Sequence, residues 1–433
     1  MIWIELLVVL AFIFLGSKLG GIGIGYAGGA GVVVLTMIFG LKAGSVPVDV
    51  ILIIMSVIAA IAAMQRAGGL DYLVYLSEKV LRSKPEYITF LAPFVTYVMT
   101  FLAGTGHTAF STLPVIAEVA KENGIRPSRP LSIAVIASQI AITASPISAA
   151  VIIFASFLEP KGVSYLGLLA VAIPSTFLAC VVGAFVANFL GKPLAEDEEY
   201  QRRLKEGLVK LKGATNYVPT SSAIKSVIIF AISILCVVTY ATLISDKFDI
   251  IANPTIGRNE AIMAVMLLAA TVISLACKVK MGDVLSMSTF KSGMSACICV
   301  LGVAWLGDTF VSNHLEEIKQ FSGGLLGQYQ WLLAVVLFFA SMLLYSQAAT
   351  TQALMPSALA LGVSPVAAVA AFSAVSALFV LPTYPTLLAA IEMDDTGSTR
   401  IGKYVFDHPF IIPGIATISS AVLFGFIFGG MFL

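Results

Sequence analysis

The residues that could do chemistry lie in two short polar runs set in apolar surroundings. Residues 102–114 read LAGTGHTAFSTLP and residues 344–356 read LYSQAATTQALMP. Each follows a run of apolar residues, 87–99 and 331–343, so main-chain N–H and C=O groups lose helical partners where a bilayer offers no replacement. Such a break survives only where it lines a cavity, and the two runs read as tips of re-entrant helical hairpins. The first tip offers Thr105, Gly106, His107 and Thr108; the second offers Ser346, Gln347, Thr350 and Thr351. Further along each half comes a second interruption. ITASPISA at 142–149 contains Thr143, Ser145, Pro146 and Ser148, and LPTYPT at 381–386 contains Pro382, Thr383 and Pro385. Proline removes a helical donor and clashes with the preceding turn, so both read as broken spans.

Two tips and two broken spans would bring together several half-helix ends. Helix N-termini present N–H groups and a partial positive charge, which suits carboxylates without any arginine in the membrane. The expected ligand is therefore a small anion, best satisfied by two carboxylates reached from opposite hairpins. His107, with an ordinary pKa of about 6.5, could carry a proton or donate to a carboxylate, and is the candidate for proton coupling. No metal or cofactor is expected. Cys180, Cys236, Cys277, Cys297 and Cys299 lack metal-ligand spacing and read as small core residues. Glu118, Asp308 and Lys18 sit near predicted span ends and read as interfacial anchors. Arg126 and Arg129 in IRPSRP fix the end of a connection, with steering of anions as the other reading. Gly23, Gly25 and Gly28 fit GxGxxG, but no strand-to-helix turn surrounds them, so the dinucleotide reading fails. Gly21, Gly25 and Gly29 instead make a smooth face for close helix contact, in a scaffold or between subunits.

The elements that must position these residues follow from composition. With 59% hydrophobic and 11% charged residues, against about 25% charged in a soluble domain, the chain reads as an all-α polytopic membrane protein. A net charge of +1 gives no basic face for nucleic acid. The first apolar run carries Glu5 where a signal peptide would carry Lys or Arg, so it is expected to remain as the first span. Stretches of roughly 20 apolar residues give about ten spans plus the two hairpins. Basic clusters at Lys79 to Lys84, Lys121 to Arg129, 192–225, Lys278 with Lys280, and Arg400 with Lys403 are placed in the cytoplasm. Both termini then lie outside, and the hairpins dip in from opposite sides. The expectation is two inverted repeats, 1–190 and 223–433, each of five transmembrane helices and one re-entrant hairpin. The hairpins cover about 87–120 and 330–362, the broken helices about 131–157 and 365–391, and 191–222 is a cytoplasmic linker. Residues 104–114 align with 346–356, proline on proline. Inverted repeats with discontinuous helices mark a secondary transporter with a site at the midplane.

The segments LGGIGIGYAGG, AGGLDYL, AGTGHTAFSTLPVIAEVAKE, ITASPISAAV, STFKSGMSACICVLGVAWLGDTFVSN, LLYSQAAT, LPTYPT and MDDTGSTRIGKYVF closely resemble the Dcu family of anaerobic C4-dicarboxylate transporters, its A branch more than its B branch. The resemblance runs from end to end. It implies a carrier of the bacterial inner membrane, with periplasmic termini, that takes up fumarate, malate or aspartate and exports succinate. Membership of the wider ion-transporter superfamily implies a homodimer and an elevator mechanism, in which a hairpin-bearing transport domain slides past a scaffold. Sodium-coupled relatives carry Ser-Asn-Thr at both tips; GTGHT and SQAATT here favour exchange or proton coupling. The B branch also partners a dicarboxylate-sensing kinase, but continues LPTYP with an acidic residue where this chain has Leu387. A co-sensor role is the weaker alternative. An intramembrane hydrolase is weaker still, lacking a second Asp opposite Asp308 and a Ser with a base nearby in sequence.

Overall fold

The computed structural model describes residues 2–19, 22–46, 48–209, 217–244, 250–251, 253–314, 317, 328–344, 346–381, 384–404 and 406–433. Among them there are helices and no strand. In chain order they are α1 (Ile2–Leu19), α2 (Gly23–Val33), α3 (Val48–Arg66), α4 (Gly69–Ser83), α5 (Ile88–Ala103), α6 (Ala109–Glu122), α7 (Ser128–Ile140), α8 (Ala149–Leu158), α9 (Tyr165–Asn188) and α10 (Glu198–Lys205). The second half adds α11 (Ser221–Leu243), α12 (Arg258–Ala276), α13 (Met281–Val284), α14 (Ser288–Asn313), α15 (Leu332–Leu344), α16 (Gln347–Ala360), α17 (Pro365–Ala371), α18 (Pro385–Met393) and α19 (Ile411–Phe432). Among the described residues six helical stretches are long and apolar enough to cross a bilayer; α3 and α4 pass the same test only when taken together, across a bend of 72°. The remaining apolar segments are carried by shorter or interrupted helices, which is why they fall below span length one at a time.

The bend between α3 and α4 has a local cause. Gly68 takes φ +87°, a left-handed conformation that a side chain would strain. Beyond it α4 buries Leu70, Leu73 and Leu81 and turns Asp71 and Lys79 outward, the pattern of a helix lying along a membrane interface.

Two helices of the bundle touch through main chain. A Cβ on Gly25 would stand 2.1 Å from the Ile298 carbonyl oxygen, and one on Gly302 would stand 2.0 Å from that of Gly25. Only glycine lets α2 and α14 approach so closely. The contact face therefore runs through Gly25 and Gly28 rather than the expected Gly21, Gly25 and Gly29. A Cβ on Gly29 would meet open space, and Gly21 lies outside the described residues. The partner is α14 of the same chain. The loop after α2 is clamped to the same helix: Asp308 accepts from the Ser45 N–H at 2.6 Å, and Asn313 donates to the Lys42 carbonyl at 2.7 Å. Further out, buried Glu5 of α1 meets His314 at 2.7 Å.

Around this frame α9 packs along α19, α16 packs on α8 and α14, and α18 packs on α6 and α7. The rings of Phe154 and Phe372, one in each interrupted helix, lie 4.6 Å apart in the interior. Of the cysteines, Cys180, Cys297 and Cys299 are buried as expected, but Cys236 is exposed on an outward face of α11. Glu118 is no simple interfacial anchor, since it is buried in an ion pair with Lys121, which also binds Asp395 at 3.0 Å. The Lys18 side chain lies outside the described ones. In the linker, Asp197 caps α10 by accepting from the Glu199 and Tyr200 N–H groups at 3.0 and 3.1 Å.

Candidate substrate site

The first polar run separates α5 from α6. α5 closes on Gly104 at φ +65°, and a single 3₁₀ turn, Gly106–Thr108, carries the chain into α6. Thr108 Oγ1 lies 3.2 Å from Thr100 Oγ1 and donates to the Thr105 carbonyl. His107 lies in the 3₁₀ turn. The tip packs against the first interrupted helix: a Cβ on Gly106 would stand 3.1 Å from the Ser138 carbonyl, and one on Gly104 3.1 Å from Ile147.

That interrupted helix consists of α7, a 3₁₀ turn Ala141–Thr143, and α8. Its break is built from the expected hydroxyls, all buried. Thr143 donates to the Ile140 carbonyl at 2.7 Å, and Ser145 donates to the Phe101 carbonyl of the hairpin at 2.7 Å. Ser148 donates to the Ile142 carbonyl at 2.6 Å while its oxygen accepts from the Val151 N–H at 3.2 Å, capping α8. The carbonyl of Pro146 accepts from the Tyr165 hydroxyl.

In the second half Ser346 caps α16, accepting from the Ala349 N–H at 3.2 Å. Thr350 and Thr351 donate to the carbonyls one turn back, of Ser346 and Gln347, each at 2.7 Å. Pro385 is the first residue of α18, where its missing N–H costs no helical bond. Pro382 and Thr383 lie outside the described residues.

The sets meet at a residue that the polar runs did not single out. The Gln139 carbonyl, at the end of α7, accepts from the Gln347 side-chain amide at 3.1 Å and from Ser376 at 3.4 Å. Its own amide lies 3.5 Å from Thr386 in α18. Gln139 is 1% exposed and its Oε1 has no partner among the described residues. Its signal was available as an amide inside an apolar segment, SQIAIT, where an unsatisfied polar group is costly.

Beside the first tip is a cavity of about 120 Å³. Its walls are Gly104, Thr105, Ile147 and Ala149 on one side, and Ile54 and Ile58 of α3 with Thr289 and Gly293 of α14 on the other. Among the described residues no charged side chain and no residue of the second tip is in its lining. The hydroxyl protons of Thr143, Ser145, Ser148, Thr350 and Thr351 are committed to main-chain carbonyls. The first-turn N–H groups, which have no intrahelical acceptors, remain the natural donors toward an anion.

Apolar helices enclosing paired helix breaks suit a membrane transporter. The chain belongs to the family described as anaerobic C4-dicarboxylate membrane transporter, whose family model matches residues 1–433. It is 64% identical to the C4-dicarboxylate transporter DcuA of Wolinella succinogenes over 99% of each chain, and 57% identical to that of Escherichia coli over the full length of both. The identity to the anaerobic C4-dicarboxylate transporter DcuB of Escherichia coli is 37%, over 99% of this chain and 98% of that one, so the A branch is the nearer. Among solved structures the fold is similar to the YdaH transporter of Alcanivorax borkumensis, with a TM-score of 0.59 at 16% identity, covering 99% of this chain and 97% of the other. It is also similar to MtrF of Neisseria gonorrhoeae, described as one of a class of antimetabolite efflux pumps, with a TM-score of 0.55 at 13% identity over 92% of this chain and 84% of the other.

Proposed function

We propose that the protein exchanges C4-dicarboxylates across the bacterial inner membrane, taking up fumarate, malate or aspartate and releasing succinate. The observation that carries this reading is the crossing at Gln139, where one hairpin tip and both interrupted helices share hydrogen bonds in an apolar interior. Burying a dianion costs heavily unless it is paired. The starts of α6, α8, α16 and α18 would supply partial positive charge, and His107 is assigned to tune charge and protonation. The site is assigned to Thr105, Gly106, His107, Thr108, Thr143, Ser145, Pro146, Ser148, Ser346, Gln347, Thr350, Thr351, Pro382, Thr383 and Pro385, with Gln139 added.

The mechanism we infer is an elevator working in a homodimer of chains with periplasmic termini, each built of two inverted repeats. The hairpins, interrupted helices, α9 and α19 form the moving body; α1 to α3, α11, α12 and α14 form the scaffold. The position of the 120 Å³ cavity, between the first tip and α3 with α14, supports that division. If the empty body crosses slowly and the loaded body quickly, influx is tied to efflux without a sodium site. The test is counterflow of radiolabelled succinate in proteoliposomes against unlabelled C4 acids, with and without sodium. Accumulation driven by internal dicarboxylate and indifferent to sodium is expected. Binding of succinate without counterflow would favour a sensor and overturn the reading.

A further inference from the structure

We propose that the cleft at the ends of α7, α9 and α19 holds the headgroup of an anionic phospholipid bearing hydroxyls, such as phosphatidylglycerol. The cleft has a volume of about 360 Å³, and Arg129, Arg400, Asp407 and His408 line it with Arg126. Arg126 is held by Asp197 at 2.6 Å. Among the described residues Arg129 donates to the Leu190 and Gly191 carbonyls, at 2.8 and 2.9 Å, which orient its guanidinium without neutralising it. Arg400 lies 3.4 Å from the same Asp197, with half of its side chain exposed. Among the described residues three guanidinium groups and one carboxylate, Asp407, line the cleft, while Asp197 pairs with Arg126 and Arg400, and a phosphodiester would answer the remaining positive charge. Outside the cleft the surface is apolar: Phe189 is 80% exposed and Ile412 56%, with Phe185 and Ile415 continuing the strip along α9 and α19. That is where acyl chains would lie, and it distinguishes a lipid from a soluble anion. Basic pockets between membrane helices recognise anionic head groups in this way.

His408 supplies the second half of the recognition. It is buried, its Nε2 lies 3.2 Å from the Val380 carbonyl, and its Nδ1 has no partner among the described residues. Burial holds the imidazole below its ordinary pKa, which favours the neutral ring. With Nε2–H donating to the carbonyl, Nδ1 is an acceptor suited to a headgroup hydroxyl. In the orientation proposed above, the cleft opens on the cytoplasmic leaflet.

The experiment titrates the detergent-purified protein with phosphatidylglycerol, phosphatidylcholine or free glycerol 1-phosphate and counts bound molecules by native mass spectrometry. Phosphatidylglycerol is expected to bind more tightly than phosphatidylcholine and to resist displacement by glycerol 1-phosphate. Arg129→Gln and Arg400→Gln should each weaken it about fivefold, whereas Arg129→Lys should keep most of the binding. Arg400, being half exposed, serves if the Arg129 variant unfolds. Equal binding of both lipids, unchanged binding in the Gln variants, or full displacement by glycerol 1-phosphate would overturn the assignment. Because the readout is lipid retained, it is independent of whether dicarboxylates are exchanged.

Discussion

Gln347, at the start of α16, donates its side-chain amide to the main-chain carbonyl of Gln139 at the end of α7, 3.1 Å away and shielded from solvent. The bond joins the two halves of the chain at the point where both lose helical regularity. At this carbonyl, where the regular helix ends, Gln347 and Ser376 add side-chain donors.

Gln347→Leu keeps the size of the side chain and removes the donor. Leaving a buried acceptor under-satisfied costs about 1–3 kcal/mol. The expected outcome is a marked loss of succinate counterflow together with a lower unfolding midpoint. Wild-type counterflow in the variant would remove Gln347 from the site.

Tyr165 tests the first break from the other side. Its hydroxyl donates to the Pro146 carbonyl, and its ring carries the Arg258 guanidinium 5.0 Å from its centroid. Tyr165→Phe keeps the ring and deletes the donor, at a cost of about 1 kcal/mol. Reduced counterflow with little change in thermal stability is expected; a collapse of folding with no specific effect on transport would contradict it.

Gly25→Val and Gly302→Val place methyl groups within the facing main chain of the α2–α14 contact. Overpacking of this kind costs about 1–3 kcal/mol, and main chain cannot rotate aside as a side chain can. Both variants should lower the yield and melting temperature of purified protein, while Gly29→Val, with open space around it, should be tolerated.

Asp197 gives a pH dependence. Burial would raise its pKa, but hydrogen bonds from the Tyr200 N–H and Arg126, and the charges of Arg126 and Arg400, bring it below the usual carboxylate range. A carboxyl depressed in the folded state contributes stability above its unfolded pKa of about 3.9, and that contribution is lost as pH falls through the folded value. Asp197→Asn should therefore melt lower than wild type at pH 7, and the two curves should converge on acidification below pH 4. A gap that persists there would show that the aspartate acts through shape, not charge.

The helix breaks were legible because their cause is local: Gly104, Pro146 and Pro385 each impose on their own neighbours what the chain can do. Apolar length likewise marked the long helices. What could not be read was which partner each polar group would find. Thr350 and Thr351 are conspicuous in sequence, yet their protons go to carbonyls one turn back, while the single amide of Gln139 becomes the junction because helices distant in sequence converge on it. The glycine face shifted for a similar reason. Steps of four select Gly29, but the crossing of α14 selects Gly28, and a crossing angle is a property of two helices.

The seam of α2 and α14 bears on how such a molecule can work at all. Where main chain meets main chain at Gly25, Gly28 and Gly302, the two rods have little soft material to shear, so they behave there as one stiff keel. Fluctuation of the bundle is then channelled to surfaces lined with pliable isoleucines, such as Ile54 and Ile58 facing the first tip. In the elevator proposed above, rigidity in one place would set the plane along which the rest glides.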